Sequence, residues 1–162
     1  MLTQGCNVLL HGVFDDAFFK HLRATGVKKV FLMEGRPKLD AAQKNSQKLL
    51  KRGIKPVLIA DNMPGFLFRN NLIRRAWVAY QDHDKSGALC GIGALIVGVL
   101  AKKHRIPVYL YKGVLSKHLL GSKNDLLNFL DTPVAPKGVS TFVPLVEWLP
   151  AKYITKIYDE EQ

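Results

Sequence analysis

Five short apolar runs, spaced along the first two thirds of the chain, constrain the fold more than any other feature. Each run is nearly free of polar residues and is followed by a polar or glycine-containing turn. A strand that is apolar at almost every position is buried on both sides, which is typical of a parallel sheet between two layers of helices. The sequence therefore predicts an α/β domain with right-handed crossover connections. The predicted strands are Asn7–Leu10, Lys29–Met33, Pro56–Ala60, Ala76–Tyr80 and Pro107–Tyr111.

Helical patterns fill the segments between these strands, several of them bounded by capping residues, prolines or glycines. Asp15 or Asp16 is the expected cap of the first helix. Beyond Lys112 the pattern weakens, and two further helices and one edge strand are expected there. The predicted helices cover residues 16–25, 39–52, 66–70, 94–101, 122–131 and 150–158, and the predicted edge strand covers Phe142–Val146.

Composition places the chain among ordinary globular proteins. Its 162 residues suit one domain over residues 1–162, with 48% hydrophobic and 23% charged residues. The longest apolar run, Ile92–Ala101, is too short to span a bilayer, so no membrane association is expected. Cys6 and Cys90 cannot form a disulfide framework, and the start of the chain lacks the features of a signal peptide. We therefore expect a cytoplasmic protein.

The net charge of +11 has three interpretations. A basic surface attracts polyanions, so RNA or a ribonucleoprotein is one candidate partner. A lysine-rich surface that is simply solvated is another, and the scattered distribution of the cations favours it. Phosphorylated small molecules would also suit this charge. The sequence has no alternation of basic and aromatic residues of the kind that binds single-stranded nucleic acid by stacking.

Polar residues follow each predicted strand at the point where it ends. Ligands of an open parallel sheet bind outside the carboxyl ends of the strands, so these positions predict one ligand pocket. The segment Gln81–Ser86, interpreted as a polar loop after the fourth strand, contributes several of them. The candidates are His11, Gly12, Glu34, Gly35, Arg36, Asp61, Asn62, Gln81, Asp82, Lys85 and Lys112.

Other kinds of site have less support. Gly91 and Gly93 precede a helix, but Ile96 stands where a dinucleotide-binding fingerprint needs its third glycine, so close packing of helix on sheet is favoured. The run Asp82–Asp84 could offer metal ligands, but neighbouring loop residues point in different directions. Cys90 is interpreted as a small buried residue rather than as a nucleophile. No metal or cofactor is therefore expected.

Several motifs, in order along nearly the whole chain, resemble those of one family. Val8–Gly12 resembles the family's V-L-T-H-C, and Val30–Pro37 resembles its V-x-V-x-E-T-R-P. Gly53–Asp61 is similar to G-I-x-V-x-x-I-x-D with one residue added, and Trp77–Gly93 follows the frame of V-G-A-D-R-I-x-x-N-G-x-x-x-N-K-I-G. Ala101–Tyr109 matches the step from helix to last sheet strand. The family is the carboxyl-terminal domain shared by the α/β/δ regulatory subunits of translation initiation factor 2B, methylthioribose-1-phosphate isomerase and ribose-1,5-bisphosphate isomerase.

This resemblance implies a three-layer, Rossmann-like parallel sheet of about five to seven strands with helices on both faces, of the NagB/RpiA/CoA-transferase type. It also implies a homodimer or a complex with a related subunit. The family's isomerases have a catalytic Cys where this chain has Gly12, and an Asp where it has Gln81, although Asp82 lies one residue away. Neither glycine nor a neutral amide can transfer protons. The family's amino-terminal helical domain, whose arginines contribute to phosphate binding in the isomerases, is expected to be absent.

The first hypothesis of function is a domain that self-associates and binds a phosphorylated sugar or nucleotide without isomerase activity. Arg36 and Lys85 would contact the phosphate, while Asp61, Asn62 and Gln81 would contact hydroxyl groups.

Two alternatives remain open. One is a sugar-phosphate aldose–ketose isomerase with substituted groups, in which Asp82 or Glu34 would be the base and His11 the proton donor. The other, suggested by the charge and by the kinship with an initiation factor, is a basic module that binds RNA or a ribonucleoprotein.

Overall fold

An eight-stranded sheet forms the centre of the fold, and six of its strands are parallel. The computed structural model describes residues 7–114 and 117–159. Within those ranges the strands are β1 (Val8–His11), β2 (Lys29–Met33), β3 (Lys55–Ile59), β4 (Arg75–Asp84), β5 (Gly87–Gly91), β6 (Val108–Lys112), β7 (Asn128–Phe129), β8 (Thr132–Pro133), β9 (Val146–Pro150) and β10 (Lys156–Tyr158).

The parallel strands are ordered β3–β2–β1–β4–β6–β10. The chain thus builds outward from β1 in one direction, then returns to its other side with β4. Leu9 in β1 is paired with Phe31 on one side and Ala76 on the other. The segments that continue from β1 and from the parallel part of β4 diverge where the strand order reverses, which opens a crevice at the carboxyl edge of the sheet.

Helices cover both faces of this sheet. Val8 and Leu10 of β1 face one hydrophobic core, and Leu9 between them faces the other, so the strand is buried on both sides. The predicted α/β architecture is therefore confirmed. Within the described ranges, no helix is long and apolar enough to cross a membrane. The helices are α1 (Asp16–Ala24) and α2 (Asp40–Leu50) on one face, and α3 (Pro64–Arg69) and α4 (Ala94–Lys103) on the other.

The segment after the fourth strand differs from the prediction. β4 continues through Asp84 and turns back into β5, so residues 81–86 belong to a β-hairpin instead of a loop. β9 then pairs with β5, which puts a strand at Val146–Pro150 instead of Phe142–Val146. Gly87 permits this pairing, because a Cβ at this position would overlap the carbonyl oxygen of Leu149. The polar composition of the hairpin tip concealed the strand, since both faces of the tip are solvated.

The predicted final helix is also wrong. Ala151–Tyr153 forms one 3₁₀ turn, and Lys156–Tyr158 forms β10. Thr155 joins this strand to β6: its N–H donates to Val108 O at 2.8 Å, and its Oγ1 accepts from Val108 N at 3.0 Å. Aromatic and β-branched residues favour an extended chain that can pair with β6 over an isolated terminal helix.

Over residues 117–145, the connection from β6 to β9 contains the helix α5 (Lys123–Leu127) and the small hairpin β7–β8. The helix predicted over residues 122–131 ends early, because Leu130 and Asp131 have positive φ angles of 47° and 63° and turn the chain into the hairpin. Ser122 caps α5 by accepting a hydrogen bond from Asp125 N, while the Asp125 carboxylate accepts one from Ser122 N.

Strand β3 forms one edge of the parallel sheet. The N–H of Lys55 donates inward to Lys28 O at 2.9 Å, so the alternation of the strand turns the backbone groups of Pro56 and Leu58 outward. Pro56 has no N–H to offer at this edge. Proline and lysine at an edge strand are a common protection against pairing with another sheet.

Candidate functional site

A cleft lies at the carboxyl edge of the sheet, where β1 and β4 end. Its volume is about 260 Å³, below the range of about 300–1,000 Å³ typical for drug-sized ligands, so it suits a small molecule. The segments after β1, β2, β4 and β6 and the beginning of α2 form its walls. Of the predicted candidates, the cleft brings together His11, Gly12, Gly35, Arg36 and Gln81.

The ends of β1 and β4 are packed too closely for a side chain at position 12. Gly12 has a φ angle of +89°, and a Cβ built on it would lie 2.7 Å from the Cβ of Ala79. Gly113 approaches Ala79 from the other side in the same way, with a distance of 2.6 Å for an added Cβ. A thiol at position 12 would therefore require both a strained backbone and a displaced β4.

His11 is buried at the side of the cleft in a defined protonation state. Its Nε2 lies 3.1 Å from Gly91 O, and because a carbonyl oxygen only accepts, Nε2 carries the proton. Nδ1 has a lone pair and no partner among the described residues. Burial lowers the pKa of His11, against the raising effects of Gly91 O, Asp61 and Glu147, so the ring is neutral at pH 7. His11 thus lines the cleft as a neutral ring whose Nδ1 is itself buried.

Asp61 acts on the loop after β2 instead of lining the cleft. Its two carboxylate oxygens accept hydrogen bonds from Gly35 N at 2.9 Å and from Arg36 N at 2.7 Å. These bonds hold the positive-φ turn at Gly35 and aim the next residue toward the cleft. Neither Asn62, which is exposed, nor Glu34 lines the cleft.

Arg36 lies between the cleft and the β6–β9 connection. Its guanidinium stacks over the ring of Phe129 at 4.8 Å and makes long hydrogen bonds to Leu126 O at 3.4 Å and Asn128 O at 3.5 Å. Bonds of this length leave most of its donor capacity unused, so the side chain can still bind an anion in the cleft.

The turn before α2 and the first turns of that helix add three charged residues that were not predicted from the sequence. Lys38, Asp40 and Lys44 line the cleft, and Lys44 Nζ lies 3.2 Å from Asp40 Oδ2. Lys38 is also paired with Asp125 at 3.7 Å. The motif E-G-R-P could have predicted them. It follows a parallel strand, so the next helix must begin at the carboxyl edge of the sheet, beside the cleft.

Gln81 reaches the cleft because of an irregularity in the pairing of β4. The pairing of β4 with β5 shifts register between Tyr80 and Asp82, which makes Gln81 a bulge residue, and Gln81 lines the cleft. Bulges commonly redirect a side chain beside a binding site. Asp82, Lys85 and Lys112 are exposed and lie outside the lining of the cleft.

The turn Gly91–Gly93 leads into α4, and its anion-binding end is already occupied. Glu147 Oε1 accepts hydrogen bonds from Gly93 N at 2.6 Å and Leu95 N at 2.9 Å. A carboxylate in this place satisfies the helix end and repels a phosphate. Cys90 is fully buried beside it, and burial raises the pKa of its thiol to about 12, so it is no nucleophile.

Comparisons with known proteins agree with this architecture. A sequence model of the Initiation factor 2 subunit family matches residues 2–160. The methylthioribose-1-phosphate isomerase of Geotalea daltonii is 33% identical over 145 residues, which cover 82% of this chain and 42% of that protein. The isomerase of the same name from Carboxydothermus hydrogenoformans is 31% identical over 169 residues, covering 97% and 48%. The chain thus spans about half the length of the curated relatives it matches.

Solved structures show the same fold at lower identity. The delta subunit of translation initiation factor eIF-2B from A. fulgidus superposes with a TM-score of 0.82 at 20% identity, covering 96% of this chain and 52% of that one. The 5-methylthioribose 1-phosphate isomerase of Pyrococcus horikoshii also has a TM-score of 0.82, at 22% identity, covering 96% and 50%. At these identities the likeness concerns the fold alone.

Proposed function

This chain belongs to the Initiation factor 2 subunit family, and we propose that its cleft binds a small phosphorylated sugar or nucleotide without isomerising it. The observation that carries the proposal is the convergence of Arg36, Lys38 and Lys44 with His11 and Gln81 on one cleft. Cations at one end and neutral hydrogen-bonding groups at the other are complementary to a molecule that joins an anion to hydroxyl groups.

The cationic end suits a phosphate. Arg36 offers paired N–H donors, and Lys38 and Lys44 add two ammonium groups, which are paired with Asp125 and Asp40, so Arg36 provides the net positive charge of this group. α2 begins at the same wall, and its N-cap residue, Leu39, makes no side-chain hydrogen bond to the helix end. The partial positive charge of that helix end therefore adds to the field of the three cations.

The neutral end suits hydroxyl groups. Gln81 can donate and accept through its amide, and the neutral ring of His11 lines the same part of the cleft. Gly12 and Ala79 also line the cleft, and neither has a side chain larger than a methyl group.

The described residues that line this cleft do not include the Cys and the Asp that the family resemblance implies at positions 12 and 81. Aldose–ketose isomerisation moves a proton between adjacent carbons, which requires an acid and a base in contact with the substrate. Position 12 has no side chain, the amide of Gln81 does not titrate, and Asp82 lies outside the lining of the cleft. These features support binding without isomerisation.

Calorimetric titration tests the proposal with methylthioribose-1-phosphate, ribose-1,5-bisphosphate, ribose 5-phosphate and a nucleoside monophosphate, and with ribose and inorganic phosphate as controls. We expect at least one sugar phosphate to bind more tightly than either control, and Arg36→Ala to weaken it at least ten-fold. Lys20→Ala, an exposed cation on α1, should leave affinity unchanged. Absence of binding by every phosphorylated compound would refute the proposal.

Isomerisation with substituted groups is the second candidate, and His11 is the observation that favours it. A neutral imidazole with a free Nδ1 beside the cleft is a potential base, whereas the hypothesis from sequence made His11 the proton donor. Turnover of methylthioribose-1-phosphate or ribose-1,5-bisphosphate that disappears in His11→Gln, with sugar-phosphate binding retained, would establish it. Loss of turnover in Asp82→Asn would instead support the sequence-based assignment.

We also propose that two copies of the chain associate through the outer surfaces of α3 and α4. Met63 and Phe66 beside and on α3 are 48% and 67% exposed, and Ile96 and Val99 on α4 are 58% and 42% exposed. The two helices pack against each other, with Gly65 facing Leu100. Large apolar side chains grouped on one surface are typical of protein interfaces.

A further inference from the structure

The edge of the sheet opposite the cleft carries a row of cations, and we propose that this row binds the phosphate backbone of single-stranded RNA. In a parallel sheet all strands begin at one edge, here called the amino edge. Basic residues stand at or just before the beginning of five of the six parallel strands. They are Lys156 of β10, Arg105 before β6, Arg74 and Arg75 at β4, Lys28 and Lys29 at β2, and Lys55 of β3.

The register fixes the positions of these residues relative to one another. Lys29 is paired directly with Lys55, and Arg75 with Val8 of β1, so their backbones lie at one level. Neighbouring strands are about 4.8 Å apart, so the row from β10 to β3 is about 24 Å long. That length suits a site of several nucleotides. Lys28, Lys55, Arg74, Arg105 and Lys156 are all exposed.

Charge is segregated between the two edges of the sheet. None of the acidic residues within 7–114 and 117–159 stands at the amino edge. Some of them follow the carboxyl ends of strands and others stand at the beginnings of helices. The rest lie on the β4–β5 hairpin, on β9 or in the β6–β9 connection. These residues are Asp15, Asp16, Glu34, Asp40, Asp61, Asp82, Asp84, Asp125, Asp131, Glu147 and Asp159. Within the described ranges, the amino edge thus carries basic side chains and no acidic ones, which favours a polyanion.

Ordinary structural preferences do not account for the row. Cations favour the last turn of a helix because of the helix dipole, but Lys28, Arg74 and Lys55 lie outside helices, and strands have little net dipole. Lysine also protects exposed sheet edges from pairing with another sheet. This would explain the lysines of β3 and β10 but not the cations at the other strands. β2 and β4 lie inside the sheet and have no edge to protect.

A groove at the β6–β10 end of the row favours RNA over other polyanions. It has a volume of about 340 Å³ and is lined by Lys102, Arg105, Lys152 and Tyr153 among others. The ring of Tyr153, half-buried, lies 5.6 Å from Lys102 Nζ and 5.1 Å from Lys152 Nζ. Aromatic rings beside cations bind single-stranded nucleic acid by stacking its bases, whereas an acidic peptide or a lipid headgroup has no base to stack. The fold creates this combination from residues 50 positions apart in the sequence.

Fluorescence anisotropy with a labelled single-stranded RNA of about 20 nucleotides, at salt concentrations from about 50 to 200 mM, tests the proposal. The triple variant Lys28→Ala, Lys55→Ala, Arg74→Ala should bind at least ten-fold more weakly, with the slope of log K against log salt reduced by about 2, since each lost contact removes about 0.7. Lys117→Ala, Lys123→Ala, Lys137→Ala lowers the net charge equally and should stay within about two-fold of wild type. Thermal melts verify that both variants fold.

Tyr153→Leu separates stacking from charge. It should weaken RNA about ten-fold while leaving the salt slope unchanged. Equal weakening by the two triple variants would overturn the proposal, because net charge alone would then explain binding. So would undetectable binding at about 50 mM salt, or binding of polyglutamate or of vesicles containing phosphatidylserine as tight as that of RNA.

Discussion

The hydroxyl of Tyr80 donates a hydrogen bond to Asp159 Oδ1 at 2.5 Å, joining the middle of β4 to the residue that follows β10. The two residues are 79 positions apart, and β6 lies between their strands. The same carboxylate lies 3.3 Å from His83 Nε2 on the hairpin. The hydrogen bond from Tyr80 is the main cause that lowers the pKa of Asp159. This contact fastens the last strand, the one the sequence predicted as a helix.

Tyr80→Phe should therefore destabilise the protein by about 1 kcal/mol, the usual value for a lost hydrogen bond. Because the folded-state pKa of Asp159 is lowered, its contribution to stability is present above its unfolded value, near about 3.9, and is lost as pH falls. Urea unfolding at pH 7 and at about pH 3 measures the free energy of unfolding of the wild type and of Tyr80→Phe. The difference between the two proteins should be smaller at the lower pH. If the two proteins differ in stability by the same amount at both pH values, the lost stability comes from packing of the Tyr80 ring and not from the hydrogen bond to Asp159.

Gly12→Cys should not restore isomerase activity. The new side chain would require φ near +89°, and its Cβ would begin 2.7 Å from Ala79 Cβ, so we expect a loss of about 2–4 kcal/mol in the free energy of unfolding. The double variant Gly12→Cys, Ala79→Gly removes the overlap and should recover part of that loss. Chemical denaturation of the three proteins measures both effects. If Gly12→Cys alone were as stable as wild type, the packing described between β1 and β4 would be incorrect.

The stability of the protein should fall at mildly acidic pH because of His11. Its folded-state pKa is lowered, mainly by burial, so the unfolded chain binds a proton more readily than the folded one. The neutral ring stabilises the fold fully above its unfolded value, about 6.5, and this contribution is lost as pH falls toward the folded value. His11→Gln should flatten that part of the stability curve. Urea titrations at pH values from about 7.5 to 5 test it, and an unchanged slope would contradict the assignment.

If the chain self-associates through α3 and α4, Phe66→Asp should weaken the association at least ten-fold. The substitution places a charge on a side chain that is 67% exposed and central to the proposed surface, so the folded monomer tolerates it while the interface does not. Leu130→Asp, at a residue 72% exposed in the β7–β8 turn, is the matched control. Sedimentation equilibrium measures both. A monomer at all concentrations in the wild type would end the proposal of a dimer.

The sequence predicts the five strands of its first two thirds because each is a short, nearly continuous apolar run, although β3, at the edge of the sheet, is only partly buried. It identifies His11, Gly12, Arg36 and Gln81 as residues at one edge for the same reason: the position after a buried parallel strand is determined by topology. The roles proposed for these residues stay predictions. The edge strand β10 was missed because it is paired on one side alone and is three residues long, so it lacks the continuous apolar pattern.

The parts of the cleft that could not be predicted depend on pairing and packing between distant segments. The bulge that separates Gln81 from Asp82 exists because β5 pairs with β4, and no local pattern reports a register shift. Lys38, Asp40 and Lys44 reach the cleft because α2 begins at its wall. Arg36 was predicted, but its stacking on Phe129, 93 positions away, was not.

The edge strand β3 has a consequence for any assembly this chain builds. Pro56 removes an outward donor from the middle of that strand, which interrupts the hydrogen-bond ladder that a second copy would have to continue there. Two molecules that associate near this edge strand must instead contact each other through side chains. The shapes of those side chains then set the distance and the angle between the two molecules. Substitutions in those side chains then change which partner binds at this edge, while the hydrogen bonding of each sheet is unchanged.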